Sequence, residues 1–275
     1  MSGPTTARIA LLIAAVVAET AWAAPAVSVW TQAQYGEADQ SRRAALQEYE
    51  VRFQGAALGV AVQPSEAWRL GLSYRGLQAE LEQEGQELLQ LDGEFVRGTA
   101  RFTSGRFAFD LGLSHGRVEH DQPTAADYTS TSLGADALFG YRYPLQGTVV
   151  VEPLLQLRYA RSDAERSRPL HEIGEVGIGL RWTGHFQAGP GRLEQQIRMM
   201  ALRDYIADAQ GTTTLMLLGE QAVVSHPARP RRHSYQAGLG MNYYVGDFTL
   251  GARYDYLERS DYYAHHLAAE IRYAF

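Results

Sequence analysis

The sequence predicts an all-β chain, closed into a transmembrane, antiparallel, up-and-down β-barrel of about twelve strands. Three observations predict it. Segment after segment alternates apolar and polar residues with the period of two that a strand imposes. The connections alternate between short turns and longer, more charged loops. The closing stretch places Phe275, Tyr273, Ile271, Ala269 and Leu267 on one face, and Ala274, Arg272, Glu270, Ala268 and His266 on the other.

Taken in order, the first strand alternates Val27, Val29, Thr31, Ala33 and Tyr35 with Ser28, Trp30, Gln32 and Gln34, and a polar stretch from Gly36 to Leu46 follows. A second strand runs from about Glu48 to Gln63, with Gly55 as a candidate bulge. Pro64-Ser65-Glu66 turns into a third, where Trp68, Leu70, Leu72 and Tyr74 oppose Arg69, Gly71, Ser73 and Arg75. Residues 77–94 admit a short amphipathic helix, but the alternating flanks favour strand extensions around an exposed acidic loop. The fourth strand covers about Glu94 to Thr103. After a Ser104-Gly105 turn, the fifth sets Phe107, Phe109, Leu111 and Leu113 against Arg106, Asp110 and Ser114.

Beyond a polar loop at Pro123, the sixth strand opposes Leu133, Ala135, Ala137, Phe139 and Tyr141 to Asp136 and Arg142. A turn from Pro144 to Gly147 leads to the seventh, where Val149, Val151, Pro153, Leu155, Leu157 and Tyr159 face away from Glu152, Gln156 and Arg158. The charged loop Arg161 to Arg168 precedes the eighth, with Val176, Ile178, Leu180 and Trp182 opposite Glu175 and Arg181. The ninth spans about Arg192 to Tyr205, its polar face carrying Glu194, Gln196 and Arg198. The long connection Ile206 to Arg232 contains a β-like run, Thr212 to Leu218. The tenth strand has Tyr235, Ala237, Leu239, Met241 and Tyr243. The eleventh sets Phe248, Leu250, Ala252, Tyr254 and Tyr256 against Arg253 and Asp255, and the closing strand is the twelfth.

The odd-numbered connections are mostly the longer and more charged ones, and the even ones are short turns. That parity suits a barrel with short periplasmic turns and longer outer loops, and a soluble sandwich has no reason to produce it. Aromatic residues recur near strand ends, where the girdles of such barrels sit. Residues 1–23 read as a signal peptide: Arg8, the apolar run Ile9 to Ala18, and Ala21-Trp22-Ala23 before a cut at Ala24. The apolar run is too short for a membrane anchor. The expected division is therefore 1–23 signal peptide and 24–275 barrel, exported to the outer membrane of a Gram-negative bacterium.

Composition narrows the function. The 275 residues include no Cys, so neither disulfides nor thiolate metal sites are available. All 25 basic residues are Arg, and the net charge of −6 gives no reason to expect a nucleic-acid partner.

The stretch Leu133-Gly134-Ala135-Asp136-Ala137-Leu138-Phe139-Gly140-Tyr141-Arg142-Tyr143 resembles the Gly-x-x-x-Gly-Tyr-Arg strand of autotransporter β-domains. Val151-Glu152-Pro153-Leu154-Leu155-Gln156-Leu157-Arg158-Tyr159 is similar to that family's Glu-Pro-x-x-x-Leu-x-Tyr strand. Gly238-Leu239-Gly240, Leu250 to Tyr256 and the Tyr-x-Phe end follow the same pattern. The resemblance implies a translocator β-barrel in the outer membrane, with outer-membrane lipid and the barrel assembly machinery as partners. It also implies a sorting and assembly signal at Phe275, Tyr273 and Ile271, because family barrels close on a terminal aromatic. The family carries a secreted passenger and a pore-threading helix. Fewer than ten residues separate the expected cleavage site from the first strand, so neither is expected here, and the secretion activity is not carried over.

The expected lumen-facing charges are Arg69, Arg75, Arg106, Asp110, Asp136, Arg142, Glu152, Arg158, Glu175, Arg181, Arg198, Arg253, Asp255, Glu270 and Arg272. Arg and carboxylate on neighbouring strands would mostly pair and fill the bore. A cationic eyelet is the sharper alternative. His265-His266, and His115 with His120, fall on opposite strand faces and make no chelating pair. The acidic residues Glu80, Glu82, Glu84, Glu87, Asp92 and Glu94 read as a solvated surface before a cation site. His233-Ser234 does not reproduce the spaced Ser and His of outer-membrane lipid hydrolases. No catalytic residue, metal or cofactor is expected. A channel or transport-type barrel is the leading function, and a structural or display barrel whose outer loops bind a partner is the alternative. The sequence names neither a solute nor an extracellular partner.

Overall fold

The computed structural model describes residues 26–40, 48–84, 86–122, 127–145, 148–164, 171–207, 214–218, 220–225, 233–259 and 262–275. The expected signal peptide lies outside them, as do the loop at Pro123 and residues 165–168 of the Arg161–Arg168 loop. Six strands come first: β1 (Ala26–Gln40), β2 (Tyr49–Ser65), β3 (Trp68–Gln83), β4 (Gln86–Ser104), β5 (Phe107–Asp121) and β6 (Tyr128–Tyr141). A two-residue strand β7 (Tyr143–Pro144) precedes β8 (Val149–Ala164), β9 (His171–Ala188) and β10 (Gly191–Ala207). A short pair, β11 (Thr214–Leu218) and β12 (Gln221–Ser225), is followed by β13 (His233–Val245), β14 (Phe248–Arg259) and β15 (Tyr262–Ala274).

Every wall strand pairs antiparallel with its neighbours, β6 pairs with β8, and β15 pairs with β1. The wall is thus a closed ring of twelve: β1 to β6, β8 to β10 and β13 to β15. Closure leaves no unpaired edge, the condition for a sheet in lipid. The short connections gather at one end. Three of them turn through Gly105, Gly189 and Gly246 at φ +56°, +57° and +55°, a conformation that costs glycine little.

Several strands run further than expected. β1 continues through Gly36 to Gln40 instead of ending at Tyr35, and β8 continues to Ala164. The 77–94 region is strand almost throughout, turning near Glu84 at φ +52°, so β4 starts at Gln86 rather than Glu94. Gly55 is no bulge. It pairs in register with Leu77, and the irregularity falls between Val62 and Ser65. A Cβ at Gly55 would lie 2.3 Å from the carbonyl oxygen of Gly76, so close approach explains the glycine.

One physical rule accounts for the extensions. Along β3 the outward residues Leu70 and Leu72 are 45% and 42% exposed. Beyond Gly76 the outward face turns polar at Gln78, Glu80 and Glu82, while inward Leu77, Ala79 and Leu81 become buried. The register does not change; the hydropathy changes sides. β4 and β5 do the same, with Leu91, Phe95 and Val118 buried inside and Asp92, Glu94, Arg117 and Glu119 outside. A wall that leaves lipid for water must show this inversion, because its outside becomes wet and its inside becomes a core.

The lower limit of the apolar belt is an aromatic rim at the short-turn end: Trp68 on Phe102, Phe107 on Tyr141, and Phe248 on Tyr273, each with ring centroids 4.9 Å apart. At the upper limit outward tyrosines reach polar groups just above them. Tyr74 donates to Glu94 at 2.8 Å and Tyr159 to Glu172 at 3.1 Å, and Tyr35 bonds Glu37.

Candidate functional site

Inside the ring, the loop half and the short-turn half differ in chemistry. The loop half is an apolar core: Ala38, Tyr49, Val51, Phe53, Leu77, Ala79, Leu81, Leu89, Leu91, Phe95 and Val118 pack around two hairpin residues, Leu215 and Leu217. On the other side of β11, Met216 meets Ala160 and Ile173. Leu215, Met216 and Leu217 are 0%, 0% and 1% exposed, so this strand is buried on both faces within the barrel. The β-like run in the long connection is therefore the first strand of a hairpin folded back into the bore. Each fully buried Leu or Met contributes roughly 1.5–3 kcal/mol, which seats the hairpin by hydrophobic burial.

The hairpin turn presents Glu220. Its carboxylate accepts from Arg253 Nη1 of β14 at 2.6 Å, and its main-chain oxygen accepts from Arg75 Nη1 of β3 at 2.6 Å. The tip is thereby tied to strands on two sides of the bore. The Glu220 side chain is still 57% exposed, because it faces open space on the short-turn side.

That space is a chamber of about 430 Å³. Of the expected charges, Arg69, Arg75, Asp110, Asp136, Arg158, Arg181, Arg198, Arg253, Asp255, Glu270 and Arg272 line it. Glu152 and Glu175 do not line it; they are buried in the wall at 4% and 2% exposure and bond Arg181 and Arg158. Arg106 and Arg142 are corrections. Arg106 sits in the turn after β4 and Arg142 between β6 and β7, where the Arg142 N–H donates to the Arg106 carbonyl at 2.7 Å. The strands stop short of both residues, so their side chains belong to the rim.

Most of the charge is paired. Arg97 meets Asp136 at 2.7 Å, Arg101 meets Asp110 at 3.2 Å, and Arg198 meets Asp255 at 3.0 Å. Arg259 bridges Glu175 at 2.8 Å and Asp204 at 2.9 Å, with Arg158 on the other Glu175 oxygen. Arg101–Asp110 and Arg158–Glu175 join adjacent strands, as expected, whereas Arg97–Asp136, Arg198–Asp255 and both Arg259 bridges reach over at least one intervening strand across the inner wall.

Sequence reasoning missed Glu220, Arg97, Arg101, Asp204 and Arg259. Arg97 and Arg101 were hidden by the inversion, since β4 places apolar Phe95 and charged Arg97 on the same inward face. Glu220 had a usable signal: an apolar run followed by a turn inside an otherwise polar outer loop. A Ser–His hydrogen bond also exists, His120 Nε2 to Ser130 Oγ at 2.8 Å, but both residues are 1% exposed. Among the described residues no group of three or more metal-ligating side chains converges.

Comparisons with known proteins agree with this architecture. A family model described as "Autotransporter beta-domain" matches residues 29–168. Outer membrane protein B of Rickettsia prowazekii (strain Madrid E) is 22% identical over 291 residues, covering 90% of this chain and 17% of that protein. The chain thus spans about a sixth of the length of that relative (17%). The β-domain of the Bordetella autotransporter BrkA superposes with TM-score 0.69 at 18% identity, over 90% of this chain and 99% of that one. The translocator domain of the autotransporter NalP from Neisseria meningitidis gives 0.65 at 15% identity, over 98% and 95%.

Proposed function

The chain belongs to the autotransporter β-domain family of bacterial outer-membrane barrels, and from that premise we propose that it works as a transport-type pore whose outer half is closed by its own β11–β12 hairpin. The observation that carries this reading is the asymmetry of the bore. A charged chamber of about 430 Å³ opens at the short-turn end, and a hairpin with fully buried Leu215, Met216 and Leu217 stands across the loop end. A barrel that only displayed loops would need neither the chamber nor a hairpin folded inward.

In this reading the partners are outer-membrane lipid around the apolar belt and the barrel assembly machinery. The machinery meets the outward edge formed by Ile271, Tyr273 and Phe275, which are exposed or half-exposed on β15 and its end. The Phe275 N–H donates to Val27 at 2.9 Å, and its ring lies edge-on to Tyr273 at 4.9 Å. No catalytic role is proposed: the His120–Ser130 pair is walled off from both bore and solvent, so a substrate would not reach it.

The test is single-channel recording on two refolded proteins, the full chain and a variant with residues 214–225 replaced by a short Gly-Ser linker. The full chain should be mostly silent. The variant should show discrete, long-lived openings. A silent variant with correct heat-modifiable migration would overturn the pore. Equal conductance of the two proteins would overturn the hairpin as its closure.

A further inference from the structure

We propose that the arginine-lined chamber beneath the hairpin is a binding site for small multivalent oxyanions, and that the Glu220 carboxylate occupies it as an internal competitor. The chamber lining carries nine arginines against four wall carboxylates, with Glu220 as the fifth. Glu152 and Glu175, set just behind, answer Arg181 and Arg158. Among the described residues, Arg75 bonds no carboxylate side chain. Its two terminal nitrogens go instead to neutral acceptors, the main-chain oxygen of Glu220 at 2.6 Å and Gln32 Oε1 at 3.3 Å.

Two pairs of these cations face each other directly, although Arg101, Arg181 and Arg198 each also have a carboxylate partner. Arg69 lies directly opposite Arg101 in the β3–β4 register, and Arg198 directly opposite Arg181 in the β10–β9 register. Like charges facing each other across a ladder destabilise it. Glu220 is held from two strands, its carboxylate by Arg253 of β14 and its main-chain oxygen by Arg75 of β3, and Arg97 of β4 lines the same chamber. Guanidinium groups present planar forks that match phosphate and carboxylate oxygens. An arginine-lined chamber into which the chain's own carboxylate projects, bonded by Arg253, has the form of a site holding a surrogate ligand. The chamber volume, about 430 Å³, admits a small anion with its waters. Arg69, one residue into β3 and opposite Arg101, lies at the short-turn end and would draw anions toward the chamber.

This inference deepens the pore reading by naming a solute class, but its test needs no conductance, so the two fail separately. Inorganic pyrophosphate is titrated calorimetrically into the full-length protein, refolded in uncharged detergent at constant ionic strength. Saturable binding at one site is expected. Glu220→Gln removes the competitor and leaves the buried leucines of the hairpin in place. It should tighten apparent binding about tenfold, the factor for a site free roughly one-tenth of the time. Arg75→Gln should weaken it by a similar factor. Heat-modifiable migration checks that each variant is folded. Absence of binding in both the wild type and Glu220→Gln would overturn the site. Equal or weaker binding by folded Glu220→Gln would overturn the competition, and undiminished binding by Arg75→Gln would overturn the assignment of the cage.

Discussion

Replacing Glu175 with alanine should destabilise the refolded barrel by about 3–5 kcal/mol, the range for removing one partner of a buried ion pair. Its side chain is 3% exposed and holds two guanidinium groups at once, those of Arg158 and Arg259. Without it, Arg158, whose side chain is only 4% exposed, loses this carboxylate, and Arg259 loses one of the two it bridges, keeping Asp204 at 2.9 Å. Two comparisons give the value its meaning. Glu50→Ala removes a carboxylate that bonds Arg52 at 2.8 Å, but those side chains are 38% and 48% exposed, and the cost should stay below about 1 kcal/mol. The double variant Glu175→Leu/Arg158→Leu should recover most of the loss, because well-packed apolar residues can replace a buried pair at little cost. Urea unfolding of the three variants in the same vesicles is the measurement. A Glu175→Ala cost as small as that of Glu50→Ala would mean that water reaches the pair, and the sealing of the loop half would be wrong.

The wall was legible in the sequence because lipid on one side and water on the other force a two-residue period. Leu133 to Tyr141, Val149 to Tyr159 and Leu267 to Phe275 show it without interruption. Legibility failed where that boundary condition changes. Above Gly76 on β3 and around Phe95 on β4, the apolar residues move from the outward to the inward face. The same alternation then carries the opposite meaning, so Gly36 to Gln40 and the glutamates of 77–94 looked like loops. The charges of the bore were readable as a face but not as pairs, since pairing depends on which strands meet at which depth. Arg106 and Arg142 share the parity of the bore and miss it only because the strands end first. The hairpin was readable as a β-like run and no further. Its burial is a tertiary fact: Leu215 and Leu217 join a core whose other members lie on β1 to β5, distant in the chain. Glu220, the residue that ties the hairpin to the wall, was marked only by the turn after that apolar run, and its partners Arg75 and Arg253 lie far away in the chain.

The orientation of every wall residue rests on that period of two, and one pair of neighbours tests it. Leu155 and Gln156 are adjacent on β8. Leu155 is 46% exposed on the outside, level with Phe139 and Ile178 on the strands to either side, which are 41% and 66% exposed. Gln156 is 8% exposed and lines the chamber. An arginine placed on the lipid face at mid-membrane costs roughly 2–4 kcal/mol, because the guanidinium must be desolvated or the bilayer deformed. An arginine facing the hydrated bore keeps its water and its counter-charges. Leu155→Arg should therefore lower the unfolding free energy in phospholipid vesicles by about 2–4 kcal/mol, whereas Gln156→Arg should change it by less than about 1 kcal/mol. In detergent micelles, which deform around a charge, the penalty for Leu155→Arg should shrink while Gln156→Arg stays silent. Equal costs in vesicles, or a reversed order, would place the arginines of the chamber against lipid, and neither the pore nor the oxyanion site would survive that result.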